Sequence, residues 1–247
     1  MQNSQKKITL LLLLILSITI AHTQQLPFYS QHVVNPYFVN PAFAGENGTN
    51  VFIDYRKQWI GLNGAPEYQL FTFEAPLKSE NMGFGVTISN DVNNVLGSSS
   101  GLLSYSYVAK INKLHQFRFG VSLGFRQNRI LFNKINAADM TEAILFSTNQ
   151  NASNIDGNFG INYKINRFQL GFATYQVFNN SYFYEDTYNN NELISSLVNH
   201  YIVVARYKFI IIPKIFTLSP IILGRSAKGI PFQYDGNIKL DYNFIPG

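Results

Sequence analysis

HQFRFGVSLGFR, residues 115–126, alternates without a break. Phe117, Phe119, Val121, Leu123 and Phe125 occupy one set of positions. Gln116, Arg118, Gly120, Ser122, Gly124 and Arg126 occupy the other. A helix would mix the two sets, because it turns about 100° per residue. A strand keeps them apart, since successive side chains point to opposite faces. The stretch therefore reads as one strand with an aromatic, apolar face and a face of Gly, Ser and Arg.

Three further segments repeat the pattern. In 154–164, Ile155, Phe159, Ile161 and Tyr163 share a face with Gly157. Asn154, Asp156, Asn158, Gly160, Asn162 and Lys164 take the other. In 103–111, Leu103, Tyr105, Tyr107, Ala109 and Ile111 alternate with Ser104, Ser106, Val108 and Lys110. In 232–241, Phe232, Tyr234, Gly236, Ile238 and Leu240 alternate with Gln233, Asp235, Asn237, Lys239 and Asp241. Weaker candidates lie at 51–58, 68–75, 82–90, 167–175, 197–209 and 215–223, which makes about ten strands of membrane-spanning length. The chain holds 21 Phe and 15 Tyr with only 13% charged residues, and its mean hydropathy is close to zero. A barrel wall has this profile, because lipid-facing and lumen-facing residues cancel. The expected fold is all-β, an antiparallel transmembrane β-barrel of the outer-membrane type. The connections point the same way. Those at 76–81, 112–114, 165–166 and 210–214 are short; those at 91–100, 128–152, 176–195 and 224–230 are mostly longer, as on the two rims of a barrel. Within the longest, 141–146 is expected to form one helical turn or an extra strand.

Three parts follow along the chain. Residues 1–23 read as a secretory signal, with Lys6 and Lys7 before the apolar run 8–20 and Ala21-His22-Thr23 at the cleavage site. Residues 24–48 form an N-terminal periplasmic segment, and 49–247 the barrel. The chain has no cysteine; this excludes a disulfide-stapled scaffold and a lipoprotein anchor. Without Lys6 and Lys7, 17 basic residues stand against 14 acidic ones. No basic run occurs, so nucleic acid is not an expected partner.

Catalytic chemistry finds little support. Gly97-Ser98-Ser99-Ser100-Gly101 matches the G-x-S-x-G pattern, but that motif needs a strand, a sharp turn and a helix; here it reads as a flexible loop before a strand. His32, His115 and His200 are too far apart in sequence to suggest a metal pair, and read as turn or rim residues. Asp54, Arg56, Arg118, Arg126, Asp156 and Lys164 lie on polar faces, where charges should pair or be hydrated. The reading is non-enzymatic, with no cofactor and no metal.

The stretch 35–67, NPYFVNPAFAGENGTNVFIDYRKQWIGLNGAPE, is different in kind. Asn35-Pro36 and Asn40-Pro41 hold the residues before proline out of the helical region. Gly45 and Gly48 permit a bend into the first strand. Trp59, the single tryptophan, suits a membrane interface beside Tyr55. The segment 35–45 should plug or brace the periplasmic mouth, with Arg56 and Trp59 packing farther along the first strand. The ordered set Asn40-Pro41-Ala42-Phe43-Ala44-Gly45, then Tyr55-Arg56 with Gln58-Trp59, then Gly64-Ala65-Pro66, resembles the signature of the PorP/SprF family of Bacteroidetes type IX secretion proteins. Its site residues would be Asn40, Pro41, Ala42, Gly45, Tyr55, Arg56, Gln58, Trp59, Gly64 and Pro66, in structural or partner-binding roles. The resemblance implies an outer-membrane barrel of the secretion and gliding machinery, supporting export or surface anchoring of client proteins. Its implied partners are outer-membrane lipid, periplasmic secretion-system proteins, and secreted clients or adhesins. The alternative is a porin or transporter with a conducting lumen. The ending Ile245-Pro246-Gly247 is turn-like, so the barrel is expected to be either incomplete at the C-terminus or closed with fewer strands.

Overall fold

The alternating segments assemble into one antiparallel sheet. The structure is a computed structural model that describes residues 31–78, 81–131, 150–185 and 192–243. Its strands are β1 (Asn50–Lys57), β2 (Glu67–Pro76), β3 (Met82–Asn93), β4 (Leu96–Lys110), β5 (His115–Ile130), β6 (Gln150–Ile165), β7 (Phe168–Tyr175), β8 (Ser181–Glu185), β9 (Glu192–Ser196), β10 (His200–Tyr207), β11 (Phe209–Ile212), β12 (Phe216–Ala227) and β13 (Ile230–Tyr242). The large sheet contains 11 strands in the order β1 through β7, then β10, β12 and β11, with β13 on β12. β10 and β11 follow one another along β12, interrupted at Lys208. They are two pieces of one strand, so the sheet is a meander that reproduces the ten sequence segments. β8 and β9 form a separate hairpin within 176–199, where the sequence suggests only a loop. The signal segment and 141–146 lie outside the described residues.

The face assignment holds strand by strand. On β5, Phe119, Val121, Leu123 and Phe125 are exposed, whereas Gly120 and Ser122 are buried. The apolar outer surface ends at one level on neighbouring strands. Ile88, Gly101, Phe125 and Ile155 form one cross-strand row; two residues along, the next row is Asn90, Ser99, Gln127 and Ser153. At the other margin lie aromatic pairs: Phe117 and Tyr163 with ring centres 4.7 Å apart, and Tyr207 and Phe209 at 4.6 Å. The run from Phe117 to Phe125 suits a tilted strand crossing a hydrocarbon layer, which takes about 9–11 residues.

The sheet curls. Tyr68 and Leu70 of β2, Val204 of β10, and Ile221 and Leu223 of β12 share one buried cluster with Val39, and Phe52 of β1 packs against it. Strands from both ends of the meander thus meet the same N-terminal segment. No hydrogen-bonded pairing joins β1 to β13 among the described residues, so the sheet is not closed.

The rims differ from the expectation in two places. At the end where β1 begins, the connections 77–81, 111–114, 166–167 and 213–215 are all short. At the other end, 58–66, 131–149 and 176–199 are long, but the turns 94–95 and 228–229 have only two residues each. The segments 91–100 and 224–230 are therefore not long loops. Their strands run on past the apolar belt and turn tightly, with Asn94 at φ 55° and Gly229 at φ 79° supplying the left-handed backbone that such hairpins need. As a consequence, Gly97–Gly101 lies inside β4 rather than in a loop. A strand interior offers no nucleophile elbow.

Candidate functional site

The site is the interior of the curled sheet, and its lower part is filled by residues 31–45. Two Asn-Pro steps build that filling. Asn35 caps the single helical turn α1 (Pro36–Val39), its side-chain oxygen accepting from the Phe38 N–H at 3.2 Å. Asn40, at φ −162°, does the same for the 3₁₀ turn Pro41–Phe43 and accepts from Ala42 N–H at 2.8 Å. Proline suits the first position of each turn, where no donor is needed. The result is a short, stiff knot. Tyr37, Val39, Asn40, Ala42, Phe43 and Ala44 are all buried.

The wall receives this knot with hydrogen bonds and with missing side chains. Asn40 Nδ2 donates to the carbonyls of Ile161 and Phe172, both at 3.2 Å. Arg118 Nε donates to Ala42 O at 2.9 Å, and its Nη2 to Ala44 O at 3.0 Å. Ser106 Oγ donates to the same Ala44 O at 2.7 Å. Glu74 accepts from Gly45 N–H at 2.8 Å. Tyr175 O–H donates to Phe38 O at 2.5 Å. Asn35 Nδ2 donates to Thr72 Oγ1 at 2.9 Å, and Tyr37 O–H shares hydrogen bonds with Ser104 and Thr87. Burial holds the Tyr37 phenol above its usual pKa, against the opposing pull of those two hydroxyls. Gly120 and Gly160 complete the socket. A Cβ on Gly120 would collide with the backbone of Pro41 and Ala42, and one on Gly160 with Asn40. Gly120 is required because the plug backbone touches the wall there, and Gly160 because the Asn40 side chain and the Pro41 ring do.

Above the plug the lumen opens into a chamber of about 790 Å³ at the rim bearing the long connections. Tyr37, Phe38 and Val39 form its floor; Ser98, Ser100, Ser122, Asn158 and Arg126 are among its walls. Arg126 pairs with Asp156 at 2.8 Å, and Arg225 with Asp235 at 3.4 Å. Two buried chamber atoms, Gln176 Oε1 and His200 Nε2, have no hydrogen-bond partner.

The sequence signature is divided between these regions. Asn40, Pro41 and Ala42 lie in the plug, and Gly45 leads out of it at φ 70°. Arg56, Gln58, Trp59 and Pro66 line the chamber mouth, and Arg56 stacks over the Tyr68 ring at 5.9 Å. Tyr55 faces outward and is exposed. Trp59 is not on the first strand: β1 ends at Lys57, and Trp59 stands exposed in the following loop at φ 50°. Gly64, at φ 75°, meets the β3–β4 turn through Asn94 N–H. The histidines also differ from a uniform rim reading. His32 is buried and bonded to Asn237 at 3.1 Å, away from either rim; His115, bonded to Tyr163 at 2.6 Å, opens β5 at the short-turn rim, and His200, though buried, opens β10 at the other.

Sequence reading did not identify Glu74, Arg118 or Tyr175 as plug receptors. The available signal was a set of glycines at inward positions of β3, β5, β6 and β7, which leave room for backbone rather than side chains. No helix among the described residues is long and apolar enough to cross a membrane. Compared with known proteins, residues 21–247 match the family described as type IX secretion system membrane protein PorP/SprF. No curated protein matches the chain.

Proposed function

This chain belongs to the PorP/SprF family of type IX secretion system membrane proteins, and from that premise we propose that it is a non-enzymatic outer-membrane component whose lumen is permanently stoppered. The signal is removed, and the short-turn rim, where the first strand begins, faces the periplasm. The protein supports export or surface anchoring of client proteins through partners that engage its rims. The observation that carries this reading is the burial of Asn40–Gly45. The most specific part of the signature serves to fill the lower lumen, with its carbonyls held by Arg118 and Ser106. A solute path would leave that space open.

The rival reading is a conducting porin, favoured by the chamber of about 790 Å³ above the plug. Planar-bilayer recording of the full chain separates the two. The stoppered reading expects no sustained open conductance; a stable open channel contradicts it. Deleting Gln31–Asn40 then assigns the plug its role. Loss of heat-modifiable, assembled protein indicates a brace. Intact assembly with lost client secretion indicates a partner-binding element. Intact assembly and intact secretion contradict both.

A further inference from the structure

Every connection on the short-turn rim carries a cation. Lys78 lies in 77–81, Lys113 in 111–114, Arg167 in 166–167 and Lys214 in 213–215; Lys208 interrupts β10 and β11 at the same end. All five are exposed. Lys110, the last residue of β4, and Lys164, the last but one of β6, stand beside them on the inward faces of their strands. None of these seven forms an ion pair among the described residues. The described acids nearby are engaged elsewhere. Glu46 meets Arg206 and Gln169, Glu74 holds Gly45, and Asp241 pairs with Lys239 at 3.0 Å. Glu80 shares a connection with Lys78 and lies outside the described residues. The opposite rim mixes signs and pairs them, as in Lys57 with Glu67 and Arg225 with Asp235.

Position decides what such a ring can meet. The connections have two to five residues, so the cations stay near the sheet margin. Just inside them runs the aromatic margin of Phe117, Tyr163, Tyr207 and Phe209. Aromatics followed by Lys and Arg is the order of a membrane interface, with rings at headgroup level and ammonium groups reaching phosphate. The cations are spread one to a turn around the circumference, which suits a surrounding leaflet better than a single protein patch. We propose that this basic ring binds anionic phospholipid headgroups of the leaflet on the short-turn side, fixing the depth and orientation of the sheet. The inference rests on the membrane reading above.

Purified protein in mixed micelles of phosphatidylethanolamine and phosphatidylglycerol tests it by native mass spectrometry of retained lipid. The full chain should enrich the anionic lipid at least about fivefold, the factor expected for one lysine at an anionic surface. The enrichment should fall in high salt. It should vanish in the combined variant Lys78→Gln, Lys113→Gln, Arg167→Gln, Lys208→Gln, Lys214→Gln, and survive in Lys57→Gln, Arg129→Gln at the other rim. Equal retention of both lipids by the full chain overturns the inference while leaving the membrane reading intact. So does enrichment that the five-site variant keeps, or loss of a co-purifying acidic protein without any lipid preference. Failure to insert into any bilayer overturns the membrane reading itself, and the inference with it. Heat-modifiable mobility shows that each variant is folded.

Discussion

The lower lumen and the chamber above it share the same strands, yet they are built in opposite ways. Near the short turns, Gly120 and Gly160 withdraw so that Pro41, Ala42 and Asn40 can touch the wall. There Ala42 O and Ala44 O are each met by a donor from β4 or β5. Toward the other rim, the same inward faces carry Ser98, Ser100, Arg126 and Asn158 around open space. Backbone packed directly on the wall admits one geometry, whereas side chains around open space have room to move. The lower half is a structural joint and the upper half a vestibule. Substitutions in the two halves should differ accordingly.

The largest contrast is steric. Gly120→Leu drives a side chain into the plug backbone and should cost about 3 kcal/mol or more. Asn128→Leu, on the same strand at the chamber, should cost less than about 1 kcal/mol. Urea unfolding in detergent, read by heat-modifiable mobility, measures both; equal costs would erase the distinction.

Polar contacts give the next contrast. Asn40→Ala strands the Ala42 N–H and removes two bonds to wall carbonyls. It should cost about 2–3 kcal/mol, since a buried group left unpaired loses its full desolvation energy. Gln176→Leu removes an oxygen that already lacks a partner. Its effect should stay within about 0.5 kcal/mol, or be stabilising. The same unfolding assay would count against the account if Gln176→Leu proved the costlier change.

A finer test lies at the boundary between the halves. Tyr37→Phe keeps the ring that fills the floor and deletes the hydroxyl shared with Ser104 and Thr87. A loss of about 1 kcal/mol is expected. No loss would place the floor with the tolerant chamber instead of the plug.

Much of this was legible in the sequence, though unevenly. Alternation in residues such as Phe117–Phe125 exposes the wall, because a period of two survives whatever the strand packs against. The Asn-Pro steps announce a stiff segment ahead of the first strand. The socket was harder to read. Glu74, Arg118 and Gly160 are separated by long stretches of chain and meet only when the sheet curls. The aromatic character of Trp59 suggests a strand end, whereas its left-handed backbone belongs to a loop. The turns at 94–95 and 228–229 look like parts of longer loops in sequence, because polar strand extensions beyond the belt have loop-like composition. The basic ring was invisible for a similar reason: its members stand singly, one on each turn.

The central claim is that residues 31–45 close the lumen from the short-turn end and leave the chamber open. The chain has no cysteine, so single cysteines report access without background. Ser98→Cys stands in the chamber wall, and Ser106→Cys replaces a fully buried residue that donates to Ala44 O. In folded protein a membrane-impermeant maleimide should label Ser98→Cys readily and Ser106→Cys only when Asn40→Ala loosens the plug. Rapid labelling of Ser106→Cys in the otherwise unaltered chain would show that the lower lumen is open, and would contradict the account.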